Sequence, residues 1–318
     1  MNTKPPSLWP AMLSLGVSVL FWSSVPLLLK YFTHHLDPWT VNGMRYLFAA
    51  FFWLPYVLRH LSDAPPGSHV WRDALPPALV HMVGQVFFGL TPYFNDATII
   101  NFVSRIAFLF TTLFGFGLLK DERPLGRQPF FWIGFAFTVV GLAIMFDGSA
   151  GTKTTSPAGM LFLVAAALCW GLYSVLVRRG MRPYTIPLSF GVISLCAAPG
   201  LIVLMFLAGD WRRIFELGLM QWILLWVSAV AGIALGHTFF YRALRALGPV
   251  ASEGGLLLIP FITAVLAFFI LGEHMNAVQW TGGVILVLGS LLLFLAKMKL
   301  VRGDAREQEK LLETSTAD

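Results

Sequence analysis

Arg45 and Arg105 each sit inside a long apolar run, where a charged side chain needs a partner, water or a task. A guanidinium does not shed its proton, so both must face a polar interior. There the planar fork of donors suits a carboxylate or phosphate. A brace to the backbone carbonyls of a neighbouring helix would satisfy the same donors. Asn101 precedes Arg105 by one helical turn and shares its face; His81 with Gln85, and His237 with Tyr241, repeat at the same spacing. Such polar stripes serve either as ligand contacts or as hydrogen bonds between helices. Asp96 and Glu253 are the acidic residues nearest these stripes, so they are candidates to receive a substrate ammonium or a coupling proton. A helix-dipole charge and a solvated loop residue are the plainer roles for them. Trp22 and Trp170 offer apolar walls away from helix ends, and Pro260 is the best placed of the prolines to act as a hinge.

Other chemistries find little support. There is no paired-histidine metal motif, no plausible Cys or Ser nucleophile site and no glycine-rich phosphate loop. The expectation is therefore no catalytic residue, no metal and no cofactor. Cys169 and Cys196 lie in apolar runs, which argues against a disulfide framework. The net charge of +6 comes from basic residues scattered between apolar runs. That distribution is a topology signal and does not suggest a nucleic-acid partner.

The elements that must position these residues follow from composition. Of 318 residues 57% are hydrophobic and 12% charged, with a mean hydropathy of +0.73, so the expected solvent is a lipid bilayer. With roughly 20 apolar residues per crossing, ten spans are expected at 8–29, 38–58, 75–93, 98–119, 130–147, 158–177, 187–207, 220–241, 250–270 and 278–296. The least distinct boundary lies between spans three and four, from Tyr93 to Ala97. The first span shows no convincing cleavage site and is read as an uncleaved helix.

Basic residues alternate across these spans. With the N-terminus in the cytoplasm, the cytoplasmic segments carry Lys4, Arg59, Arg72, Lys120, Arg123, Arg127, Arg178, Arg179, Arg182, Arg242 and Arg245, and then the lysines and arginines after position 296. The opposite side receives Lys30, Lys153, Arg212 and Arg213. Both termini are thus expected to be cytoplasmic.

The chain also resembles itself at an offset of about 148 residues. Trp132, Gly134, Gly141 and Phe146 align with Trp280, Gly282, Gly289 and Phe294, and Trp22 aligns with Trp170. Five spans separate equivalent points, so equivalent helices run in opposite directions, as in an inverted repeat. The expected fold class is an all-α membrane protein of ten transmembrane helices, two inverted five-helix repeats around a central cavity. The expected units are 1–148 and 149–299, followed by a polar cytoplasmic tail, 300–318, read as a short frayed helix or disordered.

Leu271-Gly272-Glu273 before an aromatic-and-glycine helix, and Tyr241-Arg242-Ala243-Leu244 leading to Pro260, resemble the second half of an EamA-type protein of the drug/metabolite transporter superfamily. Phe21-Trp22, Arg45 and Asp121-Glu122 resemble the first half. The resemblance implies ten helices in a basket around a cavity and export of metabolites such as amino acids by alternating access across a bacterial inner membrane. One departure is the lack of the proline expected in mid span four. No acidic residue stands in span one, which disfavours the cationic-drug exchange of the small four-helix relatives.

The leading expectation is a secondary exporter of small organic metabolites, amino acids or related carboxylates. A sugar-phosphate or nucleotide-sugar carrier is the alternative, although no clustered Lys and Arg set suited to phosphate is visible. A membrane-embedded enzyme and a non-catalytic receptor rank below these. The expected partners are a small-molecule substrate and the bilayer; no feature sets the oligomeric state, and a monomer is compatible with the pattern.

Overall fold

The computed structural model describes the backbone of residues 8–95, 97–148, 156–271 and 276–315. Among the described residues there are helices and no β-strand: α1 (Trp9–Phe32), α2 (Pro38–His60), α3 (Val70–Phe94), α4 (Ala97–Val103), α5 (Ala107–Leu118), α6 (Pro129–Gly148), α7 (Pro157–Gly180), α8 (Ile186–Ala208), α9 (Leu219–Ala229), α10 (Gly236–Leu247), α11 (Pro249–Leu256), α12 (Ile259–Leu271) and α13 (Ala277–Ser315). Local chemistry sets several starts. Asp37 accepts hydrogen bonds from the backbone N–H of Trp39 and Thr40 at 2.9 and 3.0 Å, and Ser156 caps α7 through the N–H of Gly159 at 3.0 Å. Pro38 and Pro157 occupy first helical positions, where a missing N–H leaves no orphan donor.

Among the described residues, eight stretches are long and apolar enough to cross a membrane. Three of them are composite. Residues 99–118 join α4 to α5 through a 3-10 turn at Ser104–Ile106, 219–247 join α9 to α10 through a π-helical segment at Val230–Leu235, and 249–266 cover α11 and the start of α12. The expected second and fifth spans are not among those eight; their segments are helical, as α2, of 23 residues, and α6, of 20 residues. Asn42 and Arg45 dilute the apolar run of α2, and the apolar part of α6, Pro129–Met145, is short. The chain beyond Lys299 continues α13 as one helix to Ser315, in place of the short frayed segment expected from its polarity.

Several helix packings hold the first part of the chain to the second, α3 on α7, α2 on α8 and α1 on α10 among them, and two further contacts stand out. The tighter is a glycine seam between α6 and α13. A Cβ at Gly134 would come within 2.8 Å of the Gly289 carbonyl, and one at Gly141 within 2.6 Å of the Leu286 nitrogen. In return, Cβ atoms at Gly282 and Gly289 would meet the nitrogens of Met145 and Thr138 at 2.7 and 2.6 Å. The two backbones touch because these positions carry no side chain, which is how helices gain dispersion contact where lipid offers no hydrophobic drive.

The second contact is a polar latch at the predicted cytoplasmic end. Arg178 donates to Asp121 at 3.1 Å, Tyr184 donates to Asp73 at 2.5 Å, and the Lys297 ammonium lies 3.5 Å from Glu122. Glu122 is fully buried, and a Cβ on Gly248 (φ +83°) would overlap its carboxylate. Burial pushes the Glu122 carboxyl above its usual range, opposed by Lys297. At Asp121 burial also pushes upward, but the hydrogen bond and charge of Arg178 pull the carboxyl below its ordinary value.

Gly141→Ala is expected to destabilise the protein by about 1–3 kcal/mol through overpacking of the seam, whereas Gly117→Ala, in open space, should leave the thermal midpoint in place. Asp121 has a folded value below its unfolded one, so its contribution is full at neutral pH and fades as pH falls through the carboxylate range. The group is half exposed and screened, so Asp121→Asn should lose at most about 1 kcal/mol at pH 7. In thermal melts the difference should vanish in acid, where both side chains are neutral.

Candidate functional site

Where α1, α2, α3 and α7 meet the three irregular segments, the bundle encloses a cavity of about 90 Å³. That volume admits several waters, or part of a small solute, and falls below an open ligand cleft of roughly 300–1,000 Å³. Arg45, Arg105, Asn101, Gln85, His237 and Glu253 face it, between the rings of Trp22 and Trp170. Polar side chains from six separate elements therefore converge on one small space.

The irregular helices explain how two guanidinium groups survive there. A helix that departs from the regular ladder frees backbone carbonyls, which then need donors. Arg45, 3% exposed, reaches from α2 to the Ser228 carbonyl at 3.4 Å, beside the π-helical segment. The Trp22 indole donates to the Gly232 carbonyl within that segment at 2.7 Å. Arg105 stands in the 3-10 turn and donates to the Leu256 carbonyl at 3.1 Å, where α11 ends before α12 begins. Each arginine is thus a brace to a carbonyl, as one reading of the sequence expected, and also a wall of the cavity. One contact does not exhaust five donors: the Nε atoms of both arginines are buried and have no hydrogen-bond partner among the described residues.

Glu253 supplies the opposite charge. It is buried near the start of α11 and accepts a hydrogen bond from Ser174 of α7 at 2.7 Å. Its charge and that of Arg105 interact across the cavity. With two guanidinium groups and one carboxylate on its walls, the cavity is positive overall when Glu253 is ionised. The apolar surface is aromatic: Trp170 packs on Phe88 with ring centroids 4.8 Å apart, and Trp22 on Phe240 at 5.2 Å.

The remaining candidates are placed differently. His81 is fully buried one turn from Gln85 and sits behind the cavity wall, bonded to the Tyr46 hydroxyl at 2.5 Å and stacked on Tyr173. Tyr241 lies one turn beyond His237 and hydrogen-bonds to the Tyr173 hydroxyl, away from the cavity. Pro260 is the second residue of α12, so the break in this span falls at Leu257–Leu258, just before the proline. Span four breaks at Ser104–Ile106 with no proline at all. Asp96, and Gly272 and Glu273 of the quoted motif, lie outside the described residues.

Tyr173, Ser174 and Phe88 also line the site and were not singled out from the sequence. A signal existed for each of them: Tyr173 and Ser174 follow Trp170 by three and four positions, and Phe88 follows Gln85 by three, so each shares a helical face with a residue already singled out.

Known proteins carry the same architecture. The profile described as the EamA-like transporter family matches residues 9–147 and again 157–295. An uncharacterized transporter of Clostridium kluyveri is 22% identical over 299 residues, spanning 89% of this chain and 90% of its own. The uncharacterized inner membrane transporter YedA of Escherichia coli K12 is 20% identical over 295 residues, 91% and 92% of the two chains. The uncharacterized transporter YyaM of Bacillus subtilis is 25% identical over 288 residues, 87% and 90% of the two chains. A solved structure, described only as the crystal structure of a protein, superposes with a TM-score of 0.68 over 92% of this chain and 99% of its own at 19% identity, which speaks to the fold alone. The two profile matches together cover most of the sequence, so the chain is an integral membrane protein that belongs to the EamA-like transporter family, as its motifs had implied.

Proposed function

We propose that the protein exports small organic metabolites, amino acids or related carboxylates, by alternating access across a bacterial inner membrane. The observation that carries this reading is the central cavity, whose walls hold Arg45, Arg105 and Glu253 between aromatic rings. A solute carboxylate fits the guanidinium side. An ammonium on the same solute fits Glu253, and the rings of Trp22, Phe88 and Trp170 receive an apolar side chain.

In this reading the chain crosses the bilayer ten times as two inverted repeats, with both termini in the cytoplasm. The glycine seam supports the inversion. Residues 134 and 141 are the repeat mates of 282 and 289, and the contact pairs Gly134 with Gly289 and Gly141 with Gly282. Reciprocal pairing of this kind is what a two-fold axis between equivalent helices produces. The same exchange relates the packing of α1 on α10 to that of α3 on α7. Two inverted halves that meet at a central site are the architecture suited to rocking about that site.

Counterflow in proteoliposomes with a panel of labelled amino acids and carboxylates should reveal exchange. Arg105→Ala is expected to lower it at least tenfold at unchanged expression, in line with about 1.5–3 kcal/mol for a charged hydrogen bond. Transport unchanged by Arg105→Ala removes that residue from the site, and a panel without any exchanged solute contradicts the reading itself. Glu253→Gln should impair zwitterions more than monocarboxylates that lack an ammonium; equal loss for both removes Glu253 from ammonium recognition. For the topology, single cysteines placed at either terminus should be labelled from the cytoplasmic side, and one placed in the 149–155 segment from the other.

A further inference from the structure

Below the central cavity, towards the predicted cytoplasmic end, lies a second and smaller pocket of about 20 Å³. Three arginines converge on it: Arg178 of α7 and Arg182 just after that helix, one turn apart, and Arg245 of α10. The sequence shows the Arg178, Arg179 and Arg182 group as a topology signal, but not that Arg245 joins it from another span. Arg178 is the most enclosed, with a side chain 14% exposed. It bonds Asp121 and the Leu244 and Arg245 carbonyls, and its Nε is buried with no hydrogen-bond partner among the described residues. Arg245 donates to the Tyr184 carbonyl, and Arg182 stands exposed at the rim.

The floor of this pocket is Tyr241, and the hydroxyl of Tyr241 is bonded to that of Tyr173, which lines the central cavity. One aromatic layer therefore separates the two spaces. Phe190 reinforces it, with its ring centroid 5.5 Å from that of Tyr241 and stacked at 4.6 Å on His237.

We propose that the Arg178, Arg182 and Arg245 pocket is a second anion site, which loads carboxylate- or phosphate-bearing solutes from the cytoplasmic face before they pass the Tyr173–Tyr241 layer. Three guanidinium groups stand against the half-exposed Asp121 carboxylate, and the nearby Glu122 is matched by Lys297, so the pocket is short of negative charge; planar forks recognise oxyanions in pairs of hydrogen bonds. An arriving oxyanion competes with Asp121 for Arg178. Because the Asp121–Arg178 contact is part of the polar latch between the two parts of the chain, loading this site loosens the closure that bars the way inward. The role of the site rests on the transporter reading; its chemistry does not.

The test uses the purified full-length chain in a neutral detergent, with inorganic phosphate and malate as probes and chloride at matched ionic strength as the reference. Phosphate or malate should raise the thermal midpoint by roughly 2–4 °C. Arg182→Gln should need about tenfold more of either anion for the same rise, while Arg105→Gln keeps the full response. Phenylglyoxal modification of the unaltered protein, mapped by peptide mass, gives a second readout: phosphate should protect Arg182 and Arg245. Three results overturn the proposal. One is no rise beyond chloride together with no protection. Another is a response that Arg105→Gln abolishes and Arg182→Gln leaves intact, which puts the anion in the central cavity. The last is protection of Arg182 and Arg245 by phosphatidylglycerol vesicles, but by neither phosphate nor malate, which makes the occupant a lipid headgroup. Lost counterflow in Arg105→Ala with an intact phosphate response concerns the central site alone.

Discussion

A guanidinium among apolar helices has no bulk water to bond, and it cannot escape by losing its proton. The arrangement around Arg45 and Arg105 follows from that constraint. Each must find carbonyl oxygens that no regular helix leaves free, and each finds them at a break in another span. Arg45 reaches the π-helical region of the eighth expected span, and Arg105 reaches the end of α11. The breaks in turn need those donors, because no water within a bilayer can satisfy a carbonyl released from its ladder. Charge and irregular backbone are therefore mutually dependent, and the cavity is the space left where they meet.

The same dependence separates the parts of the structure that must stay fixed from those that can move. Along α6 and α13 the glycines let two backbones touch, a contact with no tolerance for added atoms. The contacts at the predicted cytoplasmic end are polar and individually weak: an Asp121–Arg178 pair half open to solvent, a tyrosine on Asp73 and a lysine near Glu122. In the proposed transport cycle the close-packed seam is the natural fulcrum and the exchangeable polar contacts the natural latch. Breaks in the spans next to the cavity supply places where a helix can bend without loss of its outer half.

Much of this was legible in the sequence, and the exceptions have physical reasons. Apolar runs of about 20 residues and the alternation of basic loops gave the helices, since lipid enforces both. Turn-spaced polar residues found much of the cavity wall, because a polar group in such a helix must face inward. His81 and Tyr241 escaped that logic: each lies one turn too far along its stripe and bonds a tyrosine hydroxyl instead. The breaks in the spans carry weak signals. Pro260 marks one of them only approximately, and the 3-10 turn at Arg105 has no proline, its geometry being set by tertiary contact. The three-arginine pocket was invisible because its third member, Arg245, lies more than 60 positions from Arg178 and Arg182.

The most direct examination of the central cavity is a density map of the protein determined with its transported solute bound. The solute should lie between Arg45, Arg105 and Glu253, its acidic group within hydrogen-bonding distance of a guanidinium and its apolar part against Trp22 or Trp170. Density for the solute elsewhere, with both arginines still engaged only by backbone carbonyls, would contradict this account.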